Sequence, residues 1–80
     1  MTVRAYVLIE TTPERTEAVH DAVGHGLTNC LALGTTFRTS EVLAHLECND
    51  VKDLYEAIAQ EYPGRDGVIR VTPLQIINGQ

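Results

Sequence analysis

Between Arg4 and Glu10 the run Ala5–Tyr6–Val7–Leu8–Ile9 is apolar at every position, with charge at both ends. Successive side chains of a strand face opposite sides, so a strand here is apolar on both faces. Its β-branched and aromatic content predicts such a strand over Arg4–Glu10. Helix signals follow at once. Thr11 and Glu14 have capping-box spacing, and Thr12 precedes a proline at the first helical position. The helix predicted from there to about Val23 turns Ala18, Val19, Ala22 and Val23 inward. Gly24 and Gly26 end it, because glycine accepts the left-handed turn beyond a helix.

Asn29–Thr36 reads as a second strand and Glu41–Cys48 as a third, joined by a hairpin around Phe37–Arg38–Thr39–Ser40. A turn centred on Thr39 sets Cys30 opposite Cys48, Ala32 opposite Leu46 and Leu33 opposite His45. Asn49 or Asp50 caps a second helix, with Val51, Leu54, Tyr55, Ile58 and Tyr62 at the spacing of one helical face. Pro63–Gly64 stops it, and Val68–Ile77 forms a fourth strand. The order β-α-β-β-α-β predicts an α+β domain: a four-stranded antiparallel sheet with both helices on one face.

That architecture leaves one face of the sheet to account for. In the third strand Val42, Ala44 and Leu46 oppose Leu43 and His45. In the fourth, Val68, Leu74 and Ile76 oppose Ile69, Val71 and Ile77. An antiparallel sheet with a solvated face alternates apolar and polar cleanly, and this one does not. At about 25 cal/mol per Å² of apolar surface, a few exposed leucines and isoleucines forfeit several kcal/mol. A single core of this size leaves only roughly 3–5 kcal/mol. The expectation is a homodimer in which an identical sheet packs on the second face.

Composition narrows the function classes. Eighty residues suffice for one domain, taken as residues 1–80 with no DNA-binding domain. With 44% hydrophobic and 21% charged residues the chain is expected to fold. No apolar run nears the roughly 20 residues of a membrane span, and the N-terminus lacks a signal-peptide pattern, so a soluble cytoplasmic protein is expected. Net charge is −5, and the six basic residues are scattered, which argues against direct contact with nucleic acid. Cys30 and Cys48 are too few for a disulfide framework or a zinc site and are expected as buried free thiols in a reducing compartment.

Four stretches carry a resemblance: Ala5–Thr11 (AYVLIET), Leu27–Phe37 (LTNCLALGTTF), Glu41–Ile58 (EVLAHLECNDVKDLYEAI) and Tyr62–Ile77 (YPGRDGVIRVTPLQII). Together they resemble the stand-alone, RAM-type ligand-sensing domain of the Lrp/AsnC transcriptional regulators. The resemblance implies a ferredoxin-like βαββαβ fold forming a dimeric α+β barrel, often as a tetramer of dimers, with amino acids or similar effectors bound between dimers. It implies no cofactor and no direct DNA contact; a full-length Lrp/AsnC-type regulator becomes the expected partner. In that family the loop between the second and third strands carries a Gly-x-aromatic-Asp arrangement near the effector. Here Gly34, Phe37 and Glu41 are further apart. One alignment matches Phe37 and Glu41 and puts Thr35 at the glycine, whereas another keeps Gly34 and loses the rest. Thr72 matches the family's last-strand threonine.

Gly34, Thr35, Thr36, Arg38, Glu41 and Thr72 are therefore the candidate ligand-binding residues. An α-amino acid needs donors for its carboxylate and an acceptor for its ammonium, roles that suit Arg38 with the threonine hydroxyls and Glu41. The plainer reading of the same segment is a solvated hairpin turn. His20 and His25, five apart, do not share a helix face as a metal pair would. His45, beside Glu47 on one strand face, is expected to pack at the dimer face; an acid–base role for it belongs to the competing reading, a small cofactor-free monooxygenase or isomerase. An ACT-like amino-acid-binding domain shares the element order, but its effector loop corresponds here to a capped helix start.

Overall fold

The computed structural model describes residues 2–78. Strands β1 (Val3–Thr11), β2 (Cys30–Arg38), β3 (Glu41–Cys48) and β4 (Val68–Asn78) form one sheet in the order β2-β3-β1-β4. Every pairing is antiparallel. Helices α1 (Thr16–Gly24) and α2 (Val51–Glu56) follow β1 and β3, completing the ferredoxin-like arrangement anticipated above.

In β1 burial alternates strictly: Val3, Ala5, Val7, Ile9 and Thr11 are buried, and the residues between them are not. Val42, Ala44, Leu46 and Cys48 of β3 do the same. With Val19 and Val23 of α1 and Leu54, Ala57 and Tyr62 of the second helical segment they form one core. This is the helix side of the sheet.

The helix starts differ from their predicted form. Thr12 precedes a 3₁₀ turn, Pro13–Arg15, and its side chain makes no cap bond. Thr11 is the last residue of β1, and its hydroxyl meets that of Thr16 at 2.7 Å inside the protein. Two short polar side chains thus satisfy each other where strand turns into helix, a burial that apolar spacing does not reveal. Gly26 takes the left-handed conformation (φ 73°) that closes α1. A Cβ there would lie 2.9 Å from the Cys30 carbonyl oxygen, so glycine is required. Gly24 is simply the last helical residue.

Asp50 caps α2, its carboxylate accepting from the Asp53 amide at 2.9 Å. The helix continues as a π turn over Ala57–Glu61, where the Tyr62 amide reaches back to the Ala57 carbonyl (3.0 Å). The wider turn brings Tyr62 into the core with Leu54 and Ala57, while Tyr55 stands more than half exposed. The expectation that Tyr55 belongs to the inner face is corrected: it precedes the π turn, and one helical step of about 100° past the buried Leu54 carries it outward.

The hairpin turns tightly at Thr39–Ser40, with Ser40 at φ 66° and Arg38 paired with Glu41. Cys30 pairs with Cys48 and Ala32 with Leu46, as the sequence register predicts. Leu33 then bulges out, so Gly34 rather than Leu33 faces His45. Two more bulges shape β4. Its register slips at Ile69 and at Leu74, so Val71 pairs with Ile9 and Ile76 with Ala5 on the helix side, whereas Ile77 pairs with Arg4. The sequence grouping of Leu74 with Val68 and Ile76, and of Val71 with Ile77, is corrected accordingly. A bulge inserts one residue and inverts the alternation beyond it.

Cys30 and Cys48 are joined as a disulfide, with Cα atoms 4.0 Å apart. The expectation of two free thiols is corrected: both side chains point into the same buried layer from directly opposed positions, where each is the other's neighbour.

Candidate functional site: the open face of the sheet

The face away from the helices is built by the alternate residues of each strand. From β1 come Arg4, Tyr6, Leu8 and Glu10, and from β3 Glu41, Leu43, His45 and Glu47. Register places Thr36 of β2 opposite Leu43, and Thr72 of β4 opposite Leu8. Neither helix reaches this side. Tyr6, Leu43, Leu74 and Ile77 are accordingly between 37% and 56% exposed.

Tyr6 and His45 are direct cross-strand partners, and their rings stack with centroids 4.4 Å apart and planes 13° from parallel. The bulge at Leu33 sets Gly34 beside this pair, and nothing lies within 4 Å of where a Gly34 Cβ would stand. The space left forms a shallow recess of about 280 Å³ over Tyr6, His45, Leu43 and Thr36. Leu43 and Thr36 also border a second recess, of about 230 Å³, which extends to Leu8, Leu74, Arg38 and Glu41 at the hairpin end.

Charge is confined to the margins. Arg4 reaches Glu47 at 3.1 Å at one end of the face, and Arg70 reaches Glu10 at 2.8 Å at the other. The Glu10 carboxylate raises the already high pKa of Arg70, through its hydrogen bond first and its charge second. Arg38 and Glu41 are likewise register partners, yet no ion pair within 4.0 Å joins them. Their charged ends remain available at the mouth of the hairpin recess.

Of the six predicted site residues, the structure brings Thr36, Arg38 and Glu41 to one recess and sets Gly34 on the neighbouring one. Thr72 stands beside Leu8 on the same face. Thr35 borders the same recess as Gly34 but turns its side chain away from it. Its hydroxyl faces the helix side and lies 2.9 Å from the His20 imidazole Nε2, while the His20 ring packs obliquely against Phe37 at 4.7 Å. Sequence reasoning missed Tyr6, Leu8, Leu43 and Leu74 as lining residues. The signal that could have found them is the two-sided apolar pattern of β1 and β3.

A further recess, about 260 Å³, opens between α2 and the start of β2 and is lined by Asp53, Glu56 and Glu61. Desolvation, then the neighbouring Asp50 and Glu56 charges, push the Asp53 carboxyl above its ordinary value. Crowded carboxylates of one sign repel an anionic ligand, so this recess does not suit an amino-acid carboxylate.

Two solved structures share the architecture. The E. coli Tat proofreading chaperone NapD superposes with a TM-score of 0.72 at 14% identity, over 99% of this chain and 79% of that one. TTHA0845 from Thermus thermophilus superposes with a TM-score of 0.73 at 23% identity, over 100% of this chain and 96% of that one. At these identities the likeness establishes the ferredoxin-like fold. No protein-family model and no curated protein matches the chain. Among the described residues no helix is long and apolar enough to cross a membrane.

Proposed function

We propose that this chain is a non-enzymatic binding module that works as a homodimer closed over the open sheet face and takes a small amphoteric effector, an amino acid, at the hairpin recess. The observation that carries the reading is the composition of that face. Its centre is apolar, its charges are paired at the ends, and one unpaired arginine and one carboxylate flank a recess of amino-acid size. Arg38 supplies a forked donor for a carboxylate, Glu41 an acceptor for an ammonium, and Leu8, Leu43 and Leu74 a floor for a side chain.

A second copy is the occupant that this face suits. Four strands about 4.8 Å apart and about nine residues long span roughly 19 by 30 Å. That is of the order of the ~800 Å² per partner of an ordinary stable interface. The same patch on both subunits is self-complementary under a two-fold axis. The Lrp/AsnC-like sensing role, exerted on transcription through a full-length regulator, extends this reading and rests on the sequence resemblance.

Against an enzyme stands the direction of His45. A catalytic pocket in the competing reading lies between sheet and helices, whereas His45 stands on the other side, stacked on Tyr6. A thermal-shift screen of the twenty amino acids at millimolar concentration tests the proposal. Stabilisation by a subset, abolished in Arg38→Ala, is expected; no stabilisation by any amino acid contradicts it.

A second reading uses the same surface. NapD is a Tat proofreading chaperone, and an uncovered apolar sheet face can also seat a peptide. A chain that stays monomeric and binds an apolar peptide through Leu43 would favour it.

A further inference from the structure

The geometry points to a separate oxyanion-binding site on the helix side of the molecule, in the cleft between α1 and the turn Gly64–Gly67. This cleft, of about 340 Å³, is flanked by Arg15, Arg65 and the acidic Asp66 and floored by Ala18, Val19 and Ala22. It shares no residue with the open sheet face, so it stands or falls independently of the proposed effector site.

Three observations carry the inference. First, the Arg65 Nε is buried and has no hydrogen-bond partner, and no ion pair reaches Arg65 among the described residues. A guanidinium on the cleft wall with no carboxylate partner leaves its donors for an oxyanion bound there. Second, the charges do not balance. Asp66 pairs with Arg15 at 3.0 Å, leaving one cation in excess within a chain of net charge −5. The local positive sign is therefore a property of this cleft and not of the surface at large.

Third, the walls are held in place. Gly67, at φ 92°, lies directly against the Arg15 stem, where a Cβ would collide. The turn is fixed by backbone bonds from the Thr12 amide to the Gly67 carbonyl (2.9 Å), the Arg65 amide to the Tyr62 carbonyl (3.1 Å) and the Val68 amide to the Arg65 carbonyl (3.2 Å). Both arginines thus start from rigid backbone, which lowers the cost of presenting the Arg65 fork, with the Arg15 nitrogens that Asp66 does not take, to one anion.

The ligand chemistry is a carboxylate or phosphate oxyanion with at most a small apolar body, which the alanines can accept. Titration of the ¹⁵N-labelled protein with inorganic phosphate and, separately, with acetate tests this. Saturable shifts of the Arg65 Nε–H and the Gly64–Gly67 amides are expected with at least one anion, and which of the two saturates identifies the class. Arg65→Gln should weaken that binding tenfold or more. Should this variant fail to fold, Arg65→Lys, which keeps the charge but loses the fork, should weaken it at least threefold. The absence of saturable shifts with both anions overturns the proposal. Equal affinity in the folded Arg65 variant also overturns it.

Discussion

Tyr6 lies flat on His45 across the β1–β3 ladder, 4.4 Å between ring centroids, in the middle of a sheet face that no helix covers. A stacked aromatic pair excludes water from one side of each ring and offers the opposite sides to a partner. In the proposed dimer those outer sides become buried. Aromatic contacts contribute about 0.5–1.5 kcal/mol beyond their area, and the lost area adds to that. Tyr6→Ala should therefore weaken dimerisation at least tenfold while circular dichroism stays that of the wild type. An unchanged dissociation constant would place the interface elsewhere.

The Cys30–Cys48 disulfide ties the beginning of edge strand β2 to the end of β3 across 18 residues of chain. Closing a loop of that length restricts the unfolded ensemble and stabilises the fold by about 3 kcal/mol. Urea unfolding with and without reductant should show a loss of that order. Cys48→Ser in the absence of reductant should reproduce most of it.

Tyr62 is fully buried, and its hydroxyl has no partner. Tyr62→Phe removes an unsatisfied group at almost constant shape, so stability at pH 7 should rise by about 1 kcal/mol. The substitution also changes the alkaline limb. Burial pushes the Tyr62 phenol above its ordinary value, and the Arg65 charge pulls it back by a smaller amount. A raised pKa in the folded state means that this stability is fully present below the ordinary phenol value near 10. It is lost as pH rises through the higher folded value. Denaturant midpoints of Tyr62→Phe should fall less steeply above pH 10 than those of the wild type.

Two glycines separate folding from function. Gly26→Ala must hold a side chain at φ 73° with its Cβ 2.9 Å from the Cys30 carbonyl oxygen, and should cost more than about 1 kcal/mol. At Gly34 an added Cβ meets nothing within 4 Å and φ is not positive, so the unfolding midpoint of Gly34→Val should stay close to the wild type. Its isopropyl group nevertheless fills the recess beside Tyr6 and His45. Dimerisation or effector stabilisation, measured on the same samples, should change where folding does not.

Much of this architecture is readable from local signals. The bounds of β3 follow from alternation, whereas the Cys30–Cys48 and Ala32–Leu46 pairings arise because the Thr39–Ser40 turn, half a residue beyond the expected centre at Thr39, shifts the register by one and the Leu33 bulge shifts it back. The failures in the strands share a cause, an inserted residue. One extra residue at Leu33 replaces Leu33 with Gly34 opposite His45. Extra residues at Ile69 and Leu74 regroup the faces of β4, and the π turn after α2 carries Tyr62 to the inner face as expected while Tyr55, ahead of that turn, faces out. Each depends on how neighbouring elements pack, which a single strand's pattern does not encode. The same holds for Thr35. Strand alternation puts its side chain and that of Thr36 on opposite faces, but which of them faces the open side is decided by the register with β3, set at the Thr39–Ser40 turn. The disulfide escapes the sequence reading because expected compartment outweighs geometry there; the register itself sets the two cysteines face to face.

The central claim is that a second copy covers the open sheet face, and sedimentation equilibrium of the wild type beside Leu43→Glu tests it most directly. Leu43 borders both recesses, and a carboxylate there would be buried without a partner in the dimer. The account predicts twice the chain mass, or an even multiple of it, for the wild type at micromolar concentration, and a folded single chain for Leu43→Glu. A wild-type protein that sediments as a stable monomer, or a Leu43→Glu variant that keeps the wild-type mass, would contradict it.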